Sequence, residues 1–94
     1  MPSTIEFELP ERLSVTGENG LLPFLRQNPD APLAISALRL RRLDTPLVQL
    51  LVAAAADHRA RGVAFRLTRL SPDQAGQLAA LGVTEAHLET EVQP

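Results

Sequence analysis

The sequence contains no cysteine, lysine, tryptophan or tyrosine, and these absences exclude several classes of function. Without cysteine the chain has no disulfide, no thiolate nucleophile and no thiolate ligand for a metal. All 9 basic side chains are arginine, and 11 acidic ones outnumber them, so the formal net charge is −2 at pH 7. Such a chain has no overall positive field for a phosphate backbone, and its 3 phenylalanines offer no exposed platform for stacking bases. We therefore expect no binding to nucleic acid.

Long apolar runs are also missing. No stretch approaches the roughly 18 residues that a membrane span requires, and Met1–Thr4 lacks the basic start and apolar centre of a signal peptide. The 94 residues are 45% hydrophobic and 21% charged, which suits one globular domain with one core. We expect a single cytoplasmic domain over residues 1–94, without direct membrane insertion and with residues 89–94 as a frayed tail.

The sequence contains no recognisable set of residues for catalysis or metal binding. His58 and His87 are far apart and have no carboxylate or thiolate neighbours at ligand spacing, so we interpret both as surface or boundary residues. The chain has no nucleophile-elbow motif, and its glycines are too scattered for a phosphate-binding loop. We predict a protein that is not an enzyme, holds no metal and needs no cofactor.

The hydrophobic pattern predicts strands and helices in alternation. Strands are predicted at Thr4–Leu9, Leu33–Ser36 and Val63–Leu67, and helices from about Leu21 to Gln27, from Thr45 or Pro46 to Gly62, and from Ser71 to Gly82. A second short strand is compatible with Arg12–Val15, and Leu38–Leu43 either extends its strand or forms a tight connection. A strand, a helix and a strand in this order imply a parallel pair joined by a right-handed crossover. We predict an α/β fold, in which a small mixed sheet carries helices mainly on one face.

The most informative stretch is 36–54, a strand end and short loop that open into the longest helix at Asp44-Thr45-Pro46. Proline fits a first helical turn because it has no N–H to lose there. We expect Thr45 to cap the helix, its hydroxyl accepting a hydrogen bond from the N–H of Leu47 or Val48. The unpaired N–H groups at a helix start favour a phosphate or a polar group of a partner.

Three arginines, Arg39, Arg41 and Arg42, stand just before this helix. One interpretation is a solvated loop or sheet edge. The other is a clamp for an acidic partner or for a phosphorylated Thr45, since arginine binds such groups through two parallel hydrogen bonds. The sequence leaves both interpretations open.

Over nearly its whole length the chain resembles a STAS domain, the module shared by anti-sigma factor antagonists and the cytoplasmic tails of sulfate transporters. Asp44-Thr45 matches the first two positions of the family's Asp-Ser-Ser-Gly or Asp-Thr-Gly-Gly motif at a helix start. Family-like features elsewhere are the spacing of Leu40 and Leu43, the strand Arg61–Leu67, Ser71-Pro72 and Leu81-Gly82-Val83. Departures are Pro46-Leu47, in place of a small residue and glycine, and Ser14 and Ser36, which stand where acidic residues are common.

The resemblance implies a bacterial regulatory domain that binds a protein partner, either an anti-sigma factor or a related serine kinase that phosphorylates Thr45. The partner-binding residues predicted from the motif positions and from the arginine cluster are Ser14, Ser36, Arg39, Arg41, Arg42, Asp44, Thr45 and Pro46. An alternative is a constitutive STAS subunit beside the ATPase of a lipid-transport ABC complex. A second alternative is a sensor of a small ligand or lipid, which requires an enclosed apolar pocket. The oligomeric state is left open.

Overall fold

The computed structural model describes residues 4–12 and 20–93, which form a four-stranded sheet with three helices. In chain order the elements are β1 (Ile5–Glu8), α1 (Leu21–Gln27), β2 (Leu33–Ser36), α2 (Thr45–Ala60), β3 (Phe65–Leu70), α3 (Pro72–Ala80) and β4 (Glu89–Val92). The strands lie in the order β1-β2-β3-β4, and each pairs in parallel with the next. The predicted α/β class is confirmed.

Every strand pairing within the described part of the chain is parallel, so these strands do not form the mixed sheet that the sequence predicts. The short strand considered at Arg12–Val15 lies mostly outside the described residues, and Arg12 itself lies in a bend. Right-handed crossovers between successive parallel strands place all the connections on one side of the sheet. The helices therefore lie over one face, as predicted.

Burial separates the two faces of the sheet. Leu33, Ile35 and Leu67 are fully buried and contribute to the core beneath the helices. The neighbouring positions in the strands point to the other face, which carries exposed charged residues. There Arg66 lies 3.7 Å from Glu89 and 3.9 Å from Glu91. One face is thus packed and the other is polar.

Local sequence signals determine where the helices begin and end. The bounds of α1 are those predicted, and α2 begins at Thr45 and ends just before Gly62, whose φ of +72° suits glycine. At the start of α3, the Ser71 hydroxyl accepts from the Gln74 N–H at 3.1 Å, and the Gln74 side-chain oxygen accepts from the Ser71 N–H at 3.0 Å. This is the capping box that the sequence predicts.

The strands differ more from the predictions. β3 begins at Phe65 instead of Val63 and continues to Leu70, past a register shift between Leu67 and Leu70, a segment that contains Arg69 with a φ of +58°. Residues 89–92 of the expected frayed tail form β4, which pairs with β3. The stretch 38–43 is a loop, in which Leu40 and Leu43 are buried. Within the described residues, no helix has the length and apolar character needed to cross a membrane.

Candidate functional site

The predicted site lies at the edge of the sheet where the parallel strands end. The ends of β1 and β2 meet there, and this brings the residues after β1 against the loop before α2. The backbone N–H of Arg41 donates to the carbonyl of Glu11 at 3.0 Å. The Arg41 guanidinium also forms an ion pair with the Glu11 carboxylate. These two contacts join the loops.

Asp44 caps α2, so the prediction that Thr45 caps this helix is wrong. The Asp44 backbone is extended, and its carboxylate accepts from the N–H of Leu47 at 3.0 Å. Thr45 is the first helical residue, so its side chain stands one position too late for the cap. Thr45 and Pro46 are both exposed. The helix start therefore presents a hydroxyl to solvent beside a fixed carboxylate.

Two of the three predicted arginines line a cavity of about 380 Å³ together with Asp44. We call this cavity the arginine groove; the described residues that line it are Glu11, Arg12, Arg41, Arg42 and Asp44. Arg42 is exposed and has no hydrogen-bond or ion-pair partner among the described residues. Arg39 is exposed too, but it does not line the groove.

Glu11 and Arg12 belong to the groove although the sequence analysis did not select them. A usable signal was present. Both residues follow a predicted strand, and parallel pairing of that strand with Leu33–Ser36 brings its end to the edge where Ser36 lies. Polar residues that follow neighbouring parallel strands therefore meet in space even when they are far apart in sequence.

The loop that carries the arginines is held by a side chain of α3. The side-chain amide of Gln74 donates to the Leu40 carbonyl at 2.8 Å, and this hydrogen bond is buried. The half-buried Ser36 accepts from the N–H of Leu38 at 3.3 Å, so its hydroxyl supports the same loop and does not line the groove. Ser14 lies outside the described residues. The loop of residues 38–43, which we call the arginine loop, is thus held by hydrogen bonds at Leu40 and Arg41.

The two histidines differ. His58 is 3% exposed, so its interpretation as a surface or boundary residue is wrong. Its Nδ1 lies 3.2 Å from the Ala54 carbonyl, its ring centre lies 5.3 Å from that of Phe65, and its Nε2 has no hydrogen-bond partner among the described residues. His87 is exposed, and its Nδ1 accepts from the Thr84 N–H.

A larger cavity, of about 570 Å³, lies at the opposite end of α2. Its lining includes Val63 and Phe65, but also the charged residues Arg59, Glu85 and Glu89. None of the predicted site residues that the structure describes lines it. The described strands follow chain order, so the sheet has no reversal of strand order of the kind that opens a ligand crevice in other parallel α/β folds. Within 4–12 and 20–93, no three His, Asp or Glu side chains are grouped to hold a metal ion.

The site therefore combines an exposed helix start, a loop fixed at two points and a groove with arginine and carboxylate walls. Comparisons of this chain with protein-family models, with curated proteins and with solved structures gave no match. The resemblance to STAS domains consequently depends on the sequence motifs alone.

Proposed function

We propose that this chain is a non-enzymatic, STAS-like domain of bacterial regulation that binds a protein partner through the arginine groove and the start of α2. The main supporting observation is the groove itself, in which three arginines and two acidic residues of the described chain lie together at one edge of a molecule whose net charge is −2. A local basic site on an acidic domain attracts an acidic group at that site without attracting anions everywhere.

The arginine loop is ordered and carries a charge that is unpaired within the described part of the chain, and both properties support binding. Arg42 has no partner among the described residues, so its charge is available to another molecule. The buried bond from Gln74 to the Leu40 carbonyl holds the loop in place before any partner arrives. A loop that is already ordered loses less conformational entropy on binding.

One form of the proposal is a switch in which an anti-sigma factor or related serine kinase phosphorylates Thr45. The hydroxyl is exposed at the first position of a 16-residue helix, where a kinase can reach it. A phosphate adds about two negative charges, which a helix N-terminus tolerates and which Arg42 lies close enough in sequence to neutralise.

A second form is the constitutive subunit of a lipid-transport ABC ATPase complex, and the position of Asp44 favours it. The Leu47 N–H holds the Asp44 carboxylate directly before Thr45, where it would repel a phosphate. Intact-mass measurement of the protein from its native cell separates the two forms, because only the switch predicts a phosphate adduct that is lost in Thr45→Ala. The sensor alternative requires an enclosed apolar pocket, and the cavity of about 570 Å³ does not favour it, because Arg59, Glu85 and Glu89 share its lining with apolar residues.

The interface is tested by substitution at its two parts. We expect Thr45→Glu, and separately Arg41→Ala with Arg42→Ala, to weaken partner binding roughly fivefold or more, the effect of changing a residue on which an interface depends, a class in which arginine is enriched. The fold should persist, because an acid suits a first helical turn. The partner is captured from the native cell, identified by mass spectrometry, purified and titrated by calorimetry, with thermal melts in parallel.

Matched controls lie away from the groove. Arg26→Ala removes one arginine from the exposed end of α1, and Gln77→Ala changes an exposed side chain on α3. Both should bind like the unmodified protein. If the Thr45 and arginine variants also retain full affinity, the interface lies elsewhere and the proposal is wrong.

A further inference from the structure

We infer that Glu11 is an internal competitor of the partner: its carboxylate occupies Arg41, at the place where an acidic segment of a protein partner binds. The inference rests on the proposed function and names the chemistry of the partner. Binding then exchanges one carboxylate for another on the same guanidinium, while Arg42 supplies the additional attraction.

The ion pair between Arg41 and Glu11 is exposed enough for another carboxylate to take the place of Glu11. The Arg41 side chain is 72% exposed and the Glu11 side chain 50% exposed, so water screens the attraction on both sides. An incoming carboxylate can therefore replace Glu11 at small cost. Arg41 contributes a planar group with several donors, which suits either carboxylate equally well.

The backbone contact at the same place is independent of this exchange. The Arg41 N–H donates to the Glu11 carbonyl, a bond that does not involve the Glu11 side chain. Removing the carboxylate therefore leaves the two loops joined. Glu11→Gln separates competition for Arg41 from damage to the fold.

The charges of the groove favour an isolated carboxylate over a polyanion. Among the described residues, the lining has three arginines, Arg12, Arg41 and Arg42, against two acids, Glu11 and Asp44, which gives these residues a net charge of +1. Nucleic acids bind through many neutralised phosphates, and a groove with this small excess of positive charge on a molecule of net charge −2 does not supply them. Asp44 also stays in place, because it caps α2.

The test measures the affinity of a short fluorescein-labelled oligoglutamate peptide by fluorescence anisotropy. We expect Glu11→Gln to bind it about two- to fivefold more tightly than the unmodified protein, the range that corresponds to loss of an exposed ion pair. Arg42→Ala should weaken binding in either background. An unlabelled oligoglutamine peptide of the same length should not compete, and inorganic phosphate or a single-stranded oligonucleotide should compete less well than oligoglutamate.

Glu8→Gln is the matched control. It removes the same charge from the exposed end of β1, but Glu8 does not line the groove. An equal gain for Glu8→Gln would show an effect of net charge alone and would overturn the inference. So would unchanged binding in Glu11→Gln, or stronger competition by phosphate or oligonucleotide. If the melting temperature of Glu11→Gln falls, a double variant provides the test. In the Arg41→Ala background, adding Glu11→Gln should not raise the affinity for oligoglutamate further.

Failure of this inference differs from failure of the proposed function. If natural-partner binding depends on Arg42 but does not change in Glu11→Gln, the interface stands and only the competition is wrong. If the Arg41, Arg42 and Thr45 variants bind the natural partner as tightly as the unmodified protein, the proposed function itself is wrong. The competition at Arg41 is then overturned with it.

Discussion

His58 is a polar side chain that is buried in the core. It lies in the core-facing part of α2 against Phe65, and its Nδ1–H donates to the Ala54 carbonyl one turn earlier in the helix. Its Nε2 is buried and has no partner among the described residues. A buried polar atom without a partner costs about 1–3 kcal/mol of stability. His58 is therefore a position where a less polar residue fits the fold better.

We expect His58→Met to stabilise the domain by about 1 kcal/mol, because methionine removes the unsatisfied nitrogen and keeps a favourable contact between sulfur and the Phe65 ring. Urea denaturation measures the change in the free energy of unfolding. His87→Met is the control and should bring no gain, since His87 is exposed. A loss of stability in His58→Met would mean that Nε2 has a partner in solution, such as a bound water molecule.

At the scale of the element, the starts of α2 and α3 use the same device with different residues. Asp44 caps α2, Ser71 caps α3, and a proline stands within the first turn of each helix. The capping side chain accepts an N–H three residues later in both cases. In α2 the proline is the second helical residue and in α3 it is the first, so the cap is identified by its extended backbone and not by its distance from the proline.

This difference can be measured at α2. Asp44→Ala should lower the free energy of unfolding by about 1 kcal/mol, the usual cost of losing a capping side chain, whereas Thr45→Ala should change it little. Asp44→Asn should keep most of the stability, because its oxygen still accepts from the Leu47 N–H. Chemical denaturation of the four proteins distinguishes the two positions. Equal losses for Asp44→Ala and Thr45→Ala would contradict the assignment of the cap.

For the whole molecule, local sequence signals were sufficient to predict the α/β class and the helix bounds. Proline, serine and glycine act within a few residues of themselves, so the starts and ends of α2 and α3 are readable from short segments. The same holds for the location of the exposed arginines before α2. What local signals misassigned was the choice between two adjacent capping residues, Asp44 and Thr45.

Features that depend on distant residues were not predicted. β4 has two glutamates among its four residues and no buried side chain, so its own sequence does not indicate a strand. It pairs with the edge of β3, and the exposed ion pairs of Arg66 with both glutamates add little to this pairing. Glu11 joined the site only through the pairing of β1 with β2. His58 follows Leu51 and Ala55 at helical spacing, so its place on the buried face of α2 was readable from the sequence, whereas its contact with Phe65 on β3 was not.

The hydrogen bond from Gln74 to the Leu40 carbonyl makes the amide exchange of one segment depend on another. To open, the loop that carries Arg41 must break this bond, so its amides should exchange slowly with deuterium. Gln74→Ala should speed exchange at Leu40 and Arg41 roughly fivefold, which corresponds to loss of a bond worth about 1 kcal/mol.

Ser71→Ala is the control, since it also breaks the capping box but leaves the bond to Leu40. Equal exchange of the loop amides in the two variants would show that Gln74 does not restrain the loop. If the restraint holds, thermodynamic reciprocity follows: an acidic ligand that steadies the loop must slow exchange in the first turn of α3, although it touches no residue of that helix.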